Sequence, residues 1–381
     1  MSWKLKSLDE LGFVSRGRSR HRPRDAAHLY GGPHPFVQTG DVKHAGLYLT
    51  NYTQTYSEDG LVQSRMWPAG TLCITIAANI ADTAILGFDA CFPDSVIGFI
   101  PDKQKADARF IKYLFDTLLQ RKYKQFTQGA AQDNLSQAKL LSLRFPIPGI
   151  TEQKLIADKI SAYDDLIENN RRRIQLLEQA ARLLYKEWFV HLRFPGHEHS
   201  KIVDGVPEGW EQRNLQEIAT IQKGKNITKD MTEDGVVPVV AGGLKPAYYH
   251  NVANTTGSVI TVSASGANAG HVALYHQDIW ASDCSYLSSS DNPEIWFFYL
   301  AMVYRQPEIT RMQQGAAQPH VYPKHLMRLS ILYPPQILRN LFHGTVEPIF
   351  LQIANHEKQI DNLAKARDLL LPKLMNGEVE V

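Results

Sequence analysis

The 381-residue chain repeats itself, and that repeat limits its possible folds more than any other feature. Shifted by 186 positions, the QGAAQ of Gln128 to Gln132 falls on the QGAAQ of Gln314 to Gln318. The ungapped register holds from Ala108–Phe189 against Glu294–Met375, with 19 identities in 82 positions. Tyr113 matches Tyr299, Leu155 matches Leu341, Ile174 matches Ile360, and Leu183 and Leu184 match Leu369 and Leu370. Upstream the register changes to 207, where Trp3, Leu8, Glu10 and Gly17 recur as Trp210, Leu215, Glu217 and Gly224. The first half therefore carries extra loop residues. A unit of this size is too long for a solenoid repeat and predicts a duplicated domain plus its connector, in a pseudo-two-fold arrangement.

Each half reads as a globular part followed by a helix. The β-rich stretches Thr71 to Ile76 and Ser258 to Val262 sit among turn residues, and one apolar helix follows in each half, Phe110 to Leu119 or Ile295 to Val303. The class is α+β, with mixed α/β domains. Pro146 and Pro148, and Pro334 and Pro335, mark the domain ends. After Gly149 the chain enters a long heptad seam, with Thr151 expected as N-cap and Glu152 in the first turn. The seam runs through Ile160, Ile167, Asn170, Ile174, Leu177 and Leu184 for about 37 residues, or about 55 Å of helix, and needs a partner to cover it. The second seam, with Ile353, His356, Ile360, Leu363 and Leu370, supplies that partner from the same chain. Pro348 is expected to interrupt or restart this second helix and Pro372 to end or kink it. Asn170 and His356 fall at matching seam positions, where a polar residue sets register. Arg367 holds the seam position of Ala181 and is expected to reach solvent or a carboxylate.

Three segments offer groups to a polyanion. Arg16, Arg18, Arg20, Arg22 and Arg24 crowd around Gly17 together with Ser19 and His21. The matching segment carries Lys223, Lys225 and Lys229 beside Gly224 and Asn226. Lysine and arginine bind phosphates, and arginine also reads guanine through two parallel hydrogen bonds. The QGAAQ motif places Gln128, Gly129 and Gln132, and Gln314, Gly315 and Gln318, where small residues admit a bulky partner and amides can bond adenine or phosphate. The loops after the apolar strands add Asn79 in one half and Ser265 and Asn268 in the other. Each segment alone also reads as a solvated charge run or a polar turn; recurrence at equivalent positions favours the binding reading.

The charge balance, 41 Lys+Arg against 39 Asp+Glu, leaves only +2, so local basic patches must hold any such partner. Cys73, Cys91 and Cys284 form neither a close pair nor a CxxC, which predicts no disulfide framework, no cysteine zinc site and a reducing compartment. No signal core or apolar run long enough to span a bilayer is present, so a soluble cytoplasmic protein without membrane contact is expected. A phosphate loop, HExxH and GxSxG are all missing. His197, Glu198 and His199 have the wrong spacing for helical zinc ligands, so no metal site is expected. Catalysis is not expected of this chain.

Two variable domains, each followed by a long helix, with EQKLIADKISAYDDLIENNRRRIQLLEQAARLLYKEWF in the middle, VPEGW at Val206 to Trp210 and LLLPKLMNGEV at the end, resemble the specificity subunit of type I restriction-modification systems over essentially the whole chain. The resemblance implies a first target-recognition domain at residues 1–148, a first spacer helix and linker at 149–205, a second target-recognition domain at 206–334, and a second spacer helix and tail at 335–381. It also implies an antiparallel coiled coil of the two helices that sets the gap between two half-sites of bipartite double-stranded DNA. Two modification subunits using S-adenosylmethionine would dock on the chain, and restriction subunits using ATP and Mg would complete the assembly. The cofactors would belong to those partners, none to this chain. Two other readings stay open on the residues alone: a coiled-coil protein-interaction scaffold without DNA specificity, and a self-sufficient methyltransferase or nuclease.

Overall fold

The computed structural model describes residues 3–78, 80–126, 135–315 and 318–379, with the side chains of 119–126 left aside. The chain divides into two compact units, Met1–Arg171 with Gln359–Val381, and Arg172–Lys358. Each unit thus holds one globular domain and part of each long helix.

In the first unit a five-stranded sheet runs in the order Gly12–Arg16, Val96–Pro101, Leu72–Thr75, Thr83–Leu86, Tyr48–Leu49. A second sheet of four strands orders Gln54–Tyr56, Tyr30–Phe36, Ala90–Cys91 and Met66–Trp67, and Lys4–Lys6 pairs with Phe145–Ile147. The second unit repeats this plan with fewer strands. Its first sheet orders Gln222–Lys223, Cys284–Ser288, Val259–Ser263 and Val272–Tyr275, and its second orders Tyr248–His250, Val237–Val240 and Trp280–Ala281. Glu211–Asn214 pairs with Ser330–Tyr333. The duplication seen in the residues is therefore a duplication of strand order.

The central strands Leu72–Thr75 and Val259–Ser263 are buried along their whole length because both faces of the sheet are covered. Leu72 and Ile74 point to the core that contains Phe110 and Phe115 of the helix Ala108–Phe126, whereas Cys73 points to Trp67 and Phe92 beneath the second sheet. Ile260 and Val262 likewise meet the helix Ile295–Tyr304, and Val259 meets Val240 and Ala281. Ile295–Tyr304 is apolar nearly all round since it lies between that sheet and the aromatic residues of the long helices, Tyr185, Phe342 and Phe350.

The first long helix, Ile150–Phe189, has 40 residues and contains no Gly or Pro. It starts two residues earlier than Thr151 as N-cap requires: Gln153 N donates to Gly149 O, so Thr151 lies inside the first turn. The buried Gln153 ties this end down, donating from Nε2 to Pro148 O and Lys105 O and accepting from Asp107 N. The second long helix, Gln336–Met375, also has 40 residues and runs through Pro348 without a break, contrary to expectation. Pro348 and Gly344, the residue four positions before it, are both exposed. Water can therefore take the Gly344 carbonyl that lacks an amide partner. Pro372 lies within the last turn, three residues before the helix ends at Met375.

The seam positions are buried or half-buried in both helices. Ile160, Ile167, Asn170 and Ile353 are buried, and Ile174, Leu177, Leu184, His356, Ile360, Leu363 and Leu370 are half-buried. In the first unit the helices run antiparallel: Asp164 pairs with Arg367 at 2.6 Å and Asn170 Nδ2 donates to Gln359 Oε1 at 3.2 Å. Arg367 thus meets a carboxylate. Tyr113 OH donates to the other oxygen of Asp164 at 2.6 Å, which joins the domain helix to both long helices through one polar network. The residues matching Tyr113, Asp164 and Arg367 in the second unit are Tyr299, Phe350 and Ala181. There the contact is aromatic: Phe350 stacks on Trp296 at 4.6 Å and meets Tyr299 at 5.8 Å, while Tyr185 and Trp188 surround Phe342.

Candidate nucleic-acid interface

Both basic segments leave the first sheet at its edge and dock on backbone in the same way. In the first unit Gly17 N donates to Val96 O at 2.8 Å and Arg18 N to Phe92 O at 3.0 Å. In the second, Gly224 N donates to Cys284 O at 2.8 Å and Lys225 N to Ala281 O at 2.9 Å. A Cβ on Gly17 would lie 2.3 Å from Phe92 O, and one on Gly224 would lie 2.1 Å from Ser282 O. Glycine is required at both places for the chain to pass this close to carbonyl groups.

The arginines of the first unit then separate into two groups. Arg24 pairs with Asp94 at 2.9 Å, Arg16 Nε donates to Asp94 O, and Arg22 Nη1 donates to Ser19 O and His21 O. These three brace the loop. Arg18 and Arg20 are exposed and make no side-chain hydrogen bond or ion pair among the described residues, leaving two cations for a ligand. Ser19 is buried, and the His21 ring lies 5.0 Å from that of His28. Gln63 and Ser64 hold the loop from below: Gln63 Oε1 accepts from Arg20 N at 2.6 Å and His21 N at 3.0 Å, and Ser64 Oγ donates to Arg18 O at 2.8 Å. Neither residue stood out in the sequence, because each acts on backbone across more than 40 positions. Asn79, Gln128, Gly129 and Gln132 lie outside the described residues.

In the second unit the three candidate segments meet. Lys225 and Asn226 are exposed beside Ala281 and Ser282, whose Oγ accepts from Ile227 N. Lys223 and Lys229 are exposed on the same segment. Ala264 N donates to Asp283 O, Ser265 Oγ donates to Asp283 Oδ2, and Asn268 Nδ2 reaches Gly242 O at 3.4 Å. Ser265 and Gln314 both form bridges with His320, and Gly266 N donates to Pro319 O, so Gln314 and the segment Pro319 to His320 lie beside the Ser265 loop. Gly315 has φ 95°, a left-handed conformation that favours glycine.

The structure adds cations that recurrence passed over. A cleft of about 310 Å³ beside Gln314 is lined by Arg311, His325 and Arg328, and Lys324 lies over the Tyr322 ring at 5.6 Å. The counterparts of Arg311, Lys324 and Arg328 in the first half, Gln125, Ala138 and Ser142, are not basic, so for these three the repeat gave no signal; His325 matches Lys139. Burial, and then the charges of Lys324 and Arg328, hold His325 below the ordinary imidazole range. Among the described residues no group of His, Cys, Asp and Glu is arranged to hold a metal, and no helix is long and apolar enough to cross a membrane. The three cysteines are buried and unpaired, and burial raises their thiol pKa values.

Exposed cations, amides and hydroxyls on fixed backbone bind anions and base edges. Residues 1–179 and 207–337 match the type I restriction modification DNA specificity domain. The chain is similar to the type I restriction enzyme MjaIX specificity subunit of Methanocaldococcus jannaschii, 26% identical over 409 residues that cover 100% of this chain and 94% of the relative. It is 23% identical to the HindI specificity subunit of Haemophilus influenzae, over 62% of this chain and 69% of that one. The solved S subunit of a type I restriction-modification system from M. genitalium shares the fold, with a TM-score of 0.63 at 19% identity over 98% of this chain and 96% of that one. Two family-matched segments, each containing one copy of the same strand order and one glycine-docked basic segment, place this chain in the type I restriction-modification DNA specificity family.

Proposed function

We propose that this chain is the non-catalytic recognition subunit of a type I restriction-modification complex in the cytoplasm, with the domain at residues 1–148 reading one half of a bipartite double-stranded DNA site and the domain at 206–334 reading the other. The observation that carries this reading is the shared docking of Gly17 and Gly224, which presents Arg18 and Arg20 in one unit and Lys225 and Asn226 in the other at equivalent strand edges. Two copies of one presenting device on one polypeptide suit two half-sites. The long helices, on this reading, set the spacing and receive two modification subunits. Exposed leucines support that: Leu155, Leu166 and Leu369 on the helices of the first unit, and Leu176, Leu183 and Leu341 on those of the second. Leu155 matches Leu341 and Leu183 matches Leu369 in the repeat, so each unit offers a related apolar face. S-adenosylmethionine, ATP and Mg would serve the modification and restriction subunits.

The test is methylation by the complete assembly. Purified with its modification subunits and S-adenosylmethionine, the chain is expected to direct adenine methylation to a split motif. Exchange of residues 1–148 for another such domain is expected to change one half of that motif alone. A change in both halves, or methylation without a split motif, overturns the assignment.

A further inference from the structure

In the second unit one carboxylate stands where every candidate segment converges. Asp283 lies between Ser282 and Cys284, which hold the segment from Gly224 to Ile227 through Gly224 N to Cys284 O and Ile227 N to Ser282 Oγ. Its own carbonyl accepts from Ala264 N, and its Oδ2 accepts from Ser265 Oγ. Gly242 faces it without a side chain: a Cβ there would lie 3.6 Å from Oδ2. Asp283 is half-buried, and no Lys, Arg or His forms an ion pair with it among the described residues. Asp94, at the corresponding turn of the first unit, is neutralised by Arg24 at 2.9 Å and receives Arg16 on its carbonyl.

An unneutralised carboxylate repels phosphate, so on a surface that meets DNA it works against the lysines around it. Only a donor on the DNA reverses the sign. In the major groove cytosine offers the N4 amino group with no acceptor of its own beside it, whereas the N6 amino group of adenine stands next to the acceptor N7, which suits an amide better than a carboxylate. Ser265 holds Oδ2 and so fixes the orientation of the carboxylate, and Oδ1 remains to accept.

We infer that Asp283 is a specificity-determining residue that reads a cytosine in the half-site of the second unit. This rests on the DNA-recognition reading above. The test maps methylated adenines with the complete assembly carrying Asp283→Asn. One position of the second half-site, a cytosine for the unaltered chain, loses discrimination by about ten-fold or more, the loss expected for one base contact, and the first half-site stays as it was. Binding to DNA of random sequence at low salt becomes equal or tighter, because a negative charge is gone. An unchanged motif, a change at a position other than cytosine, or weaker binding to random DNA overturns the inference. Should Asp283→Asn fail to assemble, Ser265→Ala keeps the carboxylate but frees it; loosened discrimination at a single cytosine supports the inference, and an effect at no position or at several overturns it. If the unaltered assembly methylates no split motif, it is the DNA-recognition reading that fails.

Discussion

Replacing Gly17 or Gly224 by alanine isolates the device on which, in the proposed reading, recognition by each domain rests. Neither glycine has a left-handed φ, so alanine is allowed by the backbone. In open space the change would stabilise the protein by about 0.4 to 1 kcal/mol through the unfolded chain. The space is closed. A Cβ at Gly224 must move about 0.9 Å away from Ser282 O to reach the 3.0 Å below which Cβ contacts essentially never occur, and it also lies 2.9 Å from Ala281 O. At Gly17 the obstacles are Phe92 O at 2.3 Å and Pro93 O at 2.4 Å. These are backbone atoms inside a packed turn, so the basic segment yields instead. It then gives up two hydrogen bonds, from Gly224 N and Lys225 N or from Gly17 N and Arg18 N. At about 1 kcal/mol each the loss is about 2 kcal/mol, or about 4 to 8 °C in Tm for a unit of this size. Gly40, with nothing within 4 Å of its Cβ position, is the control and is expected to gain or hold stability as alanine. Thermal unfolding of the assembly measures the first effect. Binding to duplexes with one half-site scrambled at a time measures the second: Gly17→Ala is expected to abolish the penalty for scrambling one half and Gly224→Ala that for the other. Wild-type stability and wild-type discrimination in both variants would refute the reasoning, as would an equal loss in the Gly40 control.

Three further outcomes follow from the same contacts. Arg18→Ala and Arg20→Ala are each expected to lower the slope of log affinity against log salt by about 1, whereas Arg22→Ala acts through loop stability; equal slopes for all three would remove the division between bracing and free arginines. Asp164→Ala leaves the Arg367 guanidinium and the Tyr113 hydroxyl short of a partner and is expected to cost about 2 kcal/mol, while Asp164→Phe with Arg367→Ala transplants the pairing of Phe350 and Ala181 and is expected to restore at least half of it in chemical denaturation. If the double variant is worse than the single one, the two contacts are not interchangeable. His276, packed near Trp296 and Phe350, is pushed down by burial to about 4 from an ordinary 6.5. The folded state therefore refuses a proton that the unfolded state accepts. Its contribution is complete above pH 6.5 and is lost as pH falls toward 4, by up to about 3 kcal/mol. His276→Phe is expected to flatten that part of the stability profile, and an unchanged profile would count against it.

The duplication, the recurrence of Gly17 as Gly224, and the apolar seams were all legible in the residues, because each is a matter of spacing along one chain. QGAAQ and the matched Gly17 and Gly224 needed no knowledge of what lies opposite them. The seams likewise showed which residues turn inward, since helical period depends on local backbone geometry alone. Tertiary contacts decided the rest. Of five crowded arginines, only the position of Asp94 and of the loop carbonyls separates Arg16, Arg22 and Arg24 from Arg18 and Arg20. Pro348 was tolerated because its face of the helix is open to water, a fact of exposure that no helix propensity contains. Gln63 and Asp283 gained their contacts from partners far off in the chain or on other loops. Helical period acts over a few residues and can be read directly, whereas the partner of a charge or an amide, like the carbonyl that crowds Gly17 or Gly224, is whatever the folded chain brings close to it.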